Sequence, residues 1–274
     1  MSNIPLIFGT GVSAAKDYEG LLSVCRVAVA NGIMAFDTAP SYKTERELGA
    51  VVIQLCNETR LTRQDFYLQT KIDPPQMLEG KNHIIRHVEK KLEEMNLTYF
   101  DGLLIHWPIP ECFIETWKTM MELKKDGIVR NIGICNVRER QITNILSNKE
   151  LEKPDIIQIE RNPLNTCDND VAICIQNAIR VQAYSALCKM HPDLQQNDIL
   201  NFLSSKYQRG IGEIILRWHL DTGVTPIFTS KNMERIHQYA SVSDFSLDEE
   251  DVKKITAINR NYKMYLESWL CPGF

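Results

Sequence analysis

The residues best equipped for chemistry in this chain stand at the ends of short apolar runs. Asp37 follows Met34-Ala35-Phe36, Lys71 follows Leu68-Gln69-Thr70, His106 follows Leu103-Leu104-Ile105, and Tyr42 lies in the loop after Asp37. A phenol titrates near ~10 in water, so Tyr42 donates a proton at neutral pH only with help, and a nearby cation favours its ionised form. Lys71 is the available cation. Asp37 would hold that amine charged, while a neutral His106 would hydrogen-bond a substrate oxygen and fix its approach. Singly, a strand-end lysine is a solvated charge and a histidine before Trp107-Pro108 is a packed ring. Together they make an acid aimed at a carbonyl.

What must position these residues is a repeat of strands and helices. Short β-branched or apolar runs alternate with stretches of 3.6-residue period, the pattern of βα units on a parallel sheet. The strands are read near residues 5–9, 33–36, 66–71, 101–105, 130–134, 155–160, 180–184 and 224–228. Eight such units predict a closed (β/α)8 TIM barrel. A doubly wound open sheet is the competing architecture, but Gly9-Thr10-Gly11 lacks the third glycine of a dinucleotide fingerprint and reads as a tight turn. Asn31-Gly32 and Asp126-Gly127 mark helix ends, and Ile85, Val88, Leu92 and Met95 form one inward stripe. In a barrel of this kind the chemistry sits where strands finish. There stand Asp37, Lys71, His106, Asn136, Gln158, Tyr184 and, just after the last strand, Ser230.

The rhythm predicts one domain over residues 1–274, with 259–274 as a tail bearing Tyr262, Tyr265, Trp269 and Phe274. That tail is either a strap on the barrel's outside or a flap over the substrate mouth. The 274 residues are 44% hydrophobic and 24% charged, which excludes a disordered or fibrous chain. The longest stretch without a charged residue, Met1 to Ala15, is too short and too rich in Gly and Pro for a membrane span, and it has no basic signal region. A cytoplasmic location is expected. Lys plus Arg number 31 against 35 Asp plus Glu, a net −4 without long runs, so no nucleic-acid stripe exists and small molecules are the expected partners. Eight cysteines include no C-x-x-C pair and read mostly as buried hydrophobes. His83 and His87, four apart, lack a third ligand at zinc spacing, so no metal is expected.

Asp37-Thr38-Ala39-Pro40-Ser41-Tyr42, with Glu45 and Leu48-Gly49 after it, resembles the D-T-A-x-x-Y-x-x-E-x-x-L-G signature of the aldo-keto reductases. Thr70-Lys71, Leu104-Ile105-His106-Trp107-Pro108, the block from Gly127 to Asn136, Gln158-Ile159-Glu160, Tyr184-Ser185 and Leu216-Arg217-Trp218-His219 extend the similarity over residues 5 to 260. The resemblance implies a barrel that binds NADPH or NADH across its C-terminal face and reduces aldehydes or ketones by direct hydride transfer. It maps the catalytic set onto Asp37, Tyr42, Lys71 and His106, with Tyr42 as general acid and Trp107 beside the substrate. It also places Asn136 and Gln158 on the nicotinamide carboxamide and Tyr184 on its ring. Thr10, Asp37, Cys135, Ser185, Leu187, Thr229, Ser230 and Arg235 complete the implied cofactor contacts, and the chain is expected to be a monomer or weak dimer. Two other functions compete: a non-catalytic cofactor-binding regulator on the same barrel, and a lyase or isomerase using Lys71 as a Schiff base.

Several positions depart from the family pattern. Thr229 stands where a lysine often grips the cofactor's extra phosphate, although Arg235 remains, which leaves only a slight lean toward NADPH. Tyr239 replaces an asparagine near the adenine, and Cys135 a serine beside Asn136. The segments after His106 and Tyr184, the latter near Leu187 to Asn197, look short and imply an open mouth.

Overall fold

A computed structural model describes residues 5–11 and 16–265. Its strands are β1 (Ile7–Gly9), β2 (Ala35–Asp37), β3 (Tyr67–Ile72), β4 (Gly102–Ile105), β5 (Ile132–Cys135), β6 (Ile156–Glu160), β7 (Arg180–Tyr184) and β8 (Val224–Phe228). Each pairs in parallel with the next, and β8 pairs back with β1 to close the barrel. The two last strands fall where the sequence places them. β2 starts later than its apolar run and extends through Asp37, because Asp37 lies in register with Gly9 on one side and Gln69 on the other. Pairing, not hydrophobicity, sets that end.

Side chains alternate along each strand with period 2. Phe8, Phe36, Leu68, Leu103, Ile134 and Ile157 point outward into one large cluster shared with the helices. The alternate residues point inward. Ile7, Ala35 and Ile227 form one small layer with Tyr67, and Leu104, Cys135 and Ile156 form another against the same ring. Beyond them the interior turns polar. Gln69 on β3 and Gln182 on β7 exchange amide hydrogen bonds of 2.8 and 2.9 Å, and since those strands are not neighbours the bonds cross the barrel. Gln158 on β6 donates to Gln182 at 3.0 Å and to Asp37 at 3.2 Å, while Gln69 donates to Asp37 at 2.6 Å. These partnered amides give the site a rigid, satisfied floor.

Gly32 and Gly127 adopt φ of +81° and +76°, as left-handed helix ends require. In the helix Lys81–Glu94 the expected Val88 and Leu92 are buried, continued by Met95; Ile84 joins them, and Ile85 is half-buried against the same core. That helix packs between two others, Glu45–Glu58 and Pro110–Lys125. Of the cysteines, Cys25, Cys135, Cys167, Cys174 and Cys188 are buried and Cys56 and Cys112 partly so; Cys271 lies outside the described residues. Among the described residues no helix is long and apolar enough to cross a membrane.

The part of the tail up to Tyr265 folds back onto the C-terminal end of β6. Met264 and Tyr265 donate their amides to the two Glu160 oxygens at 2.6 and 2.9 Å, and the Tyr262 amide donates to the Leu164 carbonyl at 2.9 Å. Trp269 and Phe274 lie outside the described residues.

Leu48-Gly49 of the signature is a packing seam. Leu48 is fully buried, and a Cβ on Gly49 would fall 2.6 Å from both Cα and carbonyl oxygen of Met95, at the end of the neighbouring helix. Backbone cannot yield as a side chain does. Gly49→Ala is therefore expected to destabilise the fold by about 1–3 kcal/mol, read as a lower urea midpoint at unchanged slope. A midpoint at or above the parent's would show that the two helices are free to separate.

Candidate active site

The C-terminal ends of the strands surround a cavity of about 770 Å3, within the range of small-molecule sites. Its wall includes the expected Asp37, Tyr42, His106, Trp107, Asn136, Gln158, Tyr184, Ser185, Leu187, Thr229 and Arg235. It also takes in Gly9, Gly11, Ala186, Lys189, Met190, Gln195, Ile227 and Phe228, which the sequence did not single out as contacts, and Tyr239 and the tail's Tyr265, which it had placed near the adenine and in the tail. The segment after Tyr184, although short, supplies much of this wall.

Tyr42 ends a single 3-10 turn, Pro40–Tyr42, in which Pro40 presets the first helical φ. Beneath it Lys71 is fully buried, with Nζ 2.7 Å from Asp37 Oδ2, 2.9 Å from the Thr38 carbonyl and 3.3 Å from Tyr42 Oη. Those three contacts match the three donors of an ammonium. Burial alone would lower the Lys71 pKa, but Asp37 and then Tyr42 outweigh it and hold the amine protonated above its usual range. A protonated, fully engaged amine has no lone pair for a Schiff base. Burial pushes the Tyr42 phenol up to about 12, with Lys71 offsetting part of the rise. The cation thus limits the cost of phenolate formation without ionising Tyr42 at rest.

His106 meets the Tyr42 ring edge-on, centroids 5.6 Å apart. Its Nδ1 is in close hydrogen-bond contact with Asp73 Oδ1, and Asp73 Oδ2 accepts from the Ser41 amide at 2.8 Å. Burial pulls His106 below the usual imidazole range, opposed by its bond to Asp73. Burial would raise the Asp73 carboxyl, yet the His106 bond and the Ser41 amide hold it below its usual value. Sequence reasoning missed Asp73. The signal was there: it lies two residues past Lys71, just beyond the end of the strand where the other site residues stand, and precedes Pro74-Pro75 as a helix-starting Asp.

Asn136, held at φ +61°, donates Nδ2 to the His106 carbonyl at 2.9 Å and accepts from Tyr184 Oη at 2.7 Å. It ties the ends of three strands together. Three of the implied cofactor contacts sit behind the wall instead of on it. Thr10 is fully buried and bonds the Asp37 carbonyl and Thr44 Oγ1, at 3.1 and 2.9 Å. Cys135 points into the barrel toward Gln158 Oε1, 3.6 Å away, and Ser230 Oγ accepts from the Asn232 amide at 3.0 Å where the next helix begins. Each of the three side chains is engaged by a local hydrogen bond. Gln158 reaches the wall, but its amide nitrogen is engaged by Asp37 and Gln182, which leaves Oε1 as the atom for a ligand. Thr229 reaches the wall too, while its hydroxyl donates to the Gly9 carbonyl at 2.8 Å and laces β8 to β1.

Comparison with known proteins bears on the family and the fold. The Aldo/keto reductase family model matches residues 5–260. A glyoxal reductase from Bacillus subtilis (strain 168) is 31% identical over 257 residues, 94% of this chain and 90% of the relative. Among solved structures, an aldo-keto reductase from a Medee basin deep-sea metagenome library superposes with TM-score 0.89 at 25% identity, covering 97% of this chain and 95% of that one. A Bombyx mori aldo-keto reductase in complex with NADP superposes with TM-score 0.85 at 29% identity, covering 94% and 90%. The chain therefore belongs to the aldo/keto reductase family.

Proposed function

We propose that this protein reduces aldehydes or ketones to alcohols with hydride from a nicotinamide cofactor, Tyr42 giving the proton. The observation that carries this reading is Lys71, buried and charged, bonded at once to Asp37 and to a phenol on the cavity wall. The wall suits such a cofactor: Tyr184 offers an aromatic face, Asn136 and Gln158 offer amide atoms, and Arg235 offers a cation beside Tyr239. A relative of this chain, the silkworm reductase, was solved with NADP. When bound, the cofactor supplies the hydride to the carbonyl carbon.

The chain's own residues handle the proton and the geometry. Tyr42 Oη gives its proton to the carbonyl oxygen, and the phenolate so formed faces the Lys71 ammonium at 3.3 Å. Asp37 keeps Lys71 charged throughout, and Trp107 lines the substrate side next to His106. Arg235 gives a slight lean to NADPH, because discrimination between the cofactors rests on charge near the 2′-phosphate and Thr229 carries none.

Tyr42→Phe is expected to cut carbonyl reduction by about 10²–10⁴-fold while fluorescence titration with NADPH stays near the parent's. Near-normal turnover would remove Tyr42 from its role, and a parent that binds cofactor yet turns over no carbonyl would be a regulator. Arg235→Ala should weaken NADPH binding more than NADH binding; equal losses would show that it does not read the 2′-phosphate. With a phenol pKa of about 12, the protonated form needed for reduction persists through neutral pH and well above it. Reduction should lack a Tyr42-dependent basic limb up to about pH 10, whereas alcohol oxidation, which needs the phenolate, should rise about tenfold per pH unit. A basic limb near pH ~8 that disappears in Tyr42→Phe would contradict the burial of this phenol.

A further inference from the structure

Asp73 belongs to none of the motifs that relate this chain to its family, yet it holds two pieces of the site together. One carboxylate oxygen meets His106 Nδ1, and the other accepts from the amide of Ser41, next to Tyr42. An ionised carboxylate only accepts, so the shared proton belongs to Nδ1, and a neutral imidazole protonated there has a bare Nε2. The tautomer is assigned from its partner. Nε2 bonds to nothing among the described residues and is not among the enclosed polar atoms lacking a partner, and His106 lines the cavity, so this nitrogen opens onto it. The charged groups facing the ring are Asp73, Lys71 and Asp37, and with burial they leave it below the usual imidazole range.

A bare nitrogen cannot donate to a carbonyl oxygen. It accepts from a hydroxyl. Tyr42, whose ring meets His106 edge-on at 5.6 Å between centroids, carries the complementary donor. Donor and acceptor side by side match a molecule that presents a carbonyl oxygen and a hydroxyl on adjacent carbons. We propose that Asp73 is a positioning residue that fixes His106 with Nδ1 protonated, so that Nε2 accepts from a hydroxyl next to the reacting carbonyl. The preferred substrates are then 2-hydroxyaldehydes, and 1,2-dicarbonyls hydrated at one carbon, over plain aldehydes. This deepens the reductase reading and rests on it.

The tautomer is tested directly by ¹⁵N NMR of histidine-labelled protein at neutral pH, His106 being assigned by its loss in His106→Gln. The expected result is a pyrrole-type Nδ1 and a pyridine-type Nε2; a protonated Nε2, in either the neutral or the cationic ring, overturns the proposal without any further variant. The selectivity is tested with glycolaldehyde against acetaldehyde, which differ by the hydroxyl alone. In Asp73→Asn the amide oxygen can still accept from Ser41 while its nitrogen donates to Nδ1, which moves the ring proton to Nε2. The ratio of kcat/KM for the two aldehydes should then fall by about tenfold relative to the parent. An unchanged ratio, or an equal loss on both aldehydes, overturns the positioning role while leaving the reductase reading intact. A parent protein that reduces neither aldehyde nor any other carbonyl, with NADPH or with NADH, overturns the reductase reading and the preference with it.

Discussion

The site depends on one buried ion pair. Lys71 and Asp37 lie inside a closed barrel with almost no exposure, 2.7 Å apart. Removing two charges from water costs several kcal/mol each, and their attraction offsets that only when the remaining hydrogen-bonding capacity is filled. It is filled here: Thr38 and Tyr42 take the other ammonium donors, and Gln69 and Gln158 both donate to the second Asp37 oxygen. The three-glutamine floor is therefore part of the site as well as of its packing, because its amides bond Asp37 and hold it oriented beneath Lys71.

From that pair the properties of Tyr42 follow. Burial raises the phenol and Lys71 lowers it, and burial wins, so the group rests as an acid. The expectation that the cation favours the ionised form matches the sign of the Lys71 effect, while the larger effect of desolvation comes from enclosure, which is invisible in a sequence. The same enclosure acts on His106, where it opposes Asp73, and it makes the protonation state of that ring a property of the whole cavity.

The mouth of the cavity is assembled from parts distant in sequence. Glu160, at the end of β6, accepts the amides of Met264 and Tyr265, and so places Tyr265 within a ring-to-ring distance of 6.0 Å from Tyr184. Asn136 links Tyr184 back to the His106 backbone. The described tail, β5, β6 and β7 thus share one hydrogen-bonded rim, and a change in any of them reaches the ring expected to face the nicotinamide.

The eight strands, their order and the approach of Asp37, Lys71 and His106 to one rim were legible in the sequence, because period-2 runs and helix-ending Asn-Gly and Asp-Gly steps are local signals. So were Tyr42 and Leu48-Gly49, through their place in the family signature, whereas the packing of Gly49 against Met95 came from the tertiary structure. Only tertiary structure decided which implied contacts line the cavity: Thr10, Cys135 and Ser230 have the right positions along the chain but are bonded to Thr44, Gln158 and Asn232 and are not part of its wall. It also decided the pairing of Gln69 with Gln182, 113 residues apart, and of His106 with Asp73, 33 apart. Strand type and order are written in neighbouring residues, whereas the partner of a buried polar group is chosen by the closure of the barrel, which brings distant residues within hydrogen-bond reach and leaves water out.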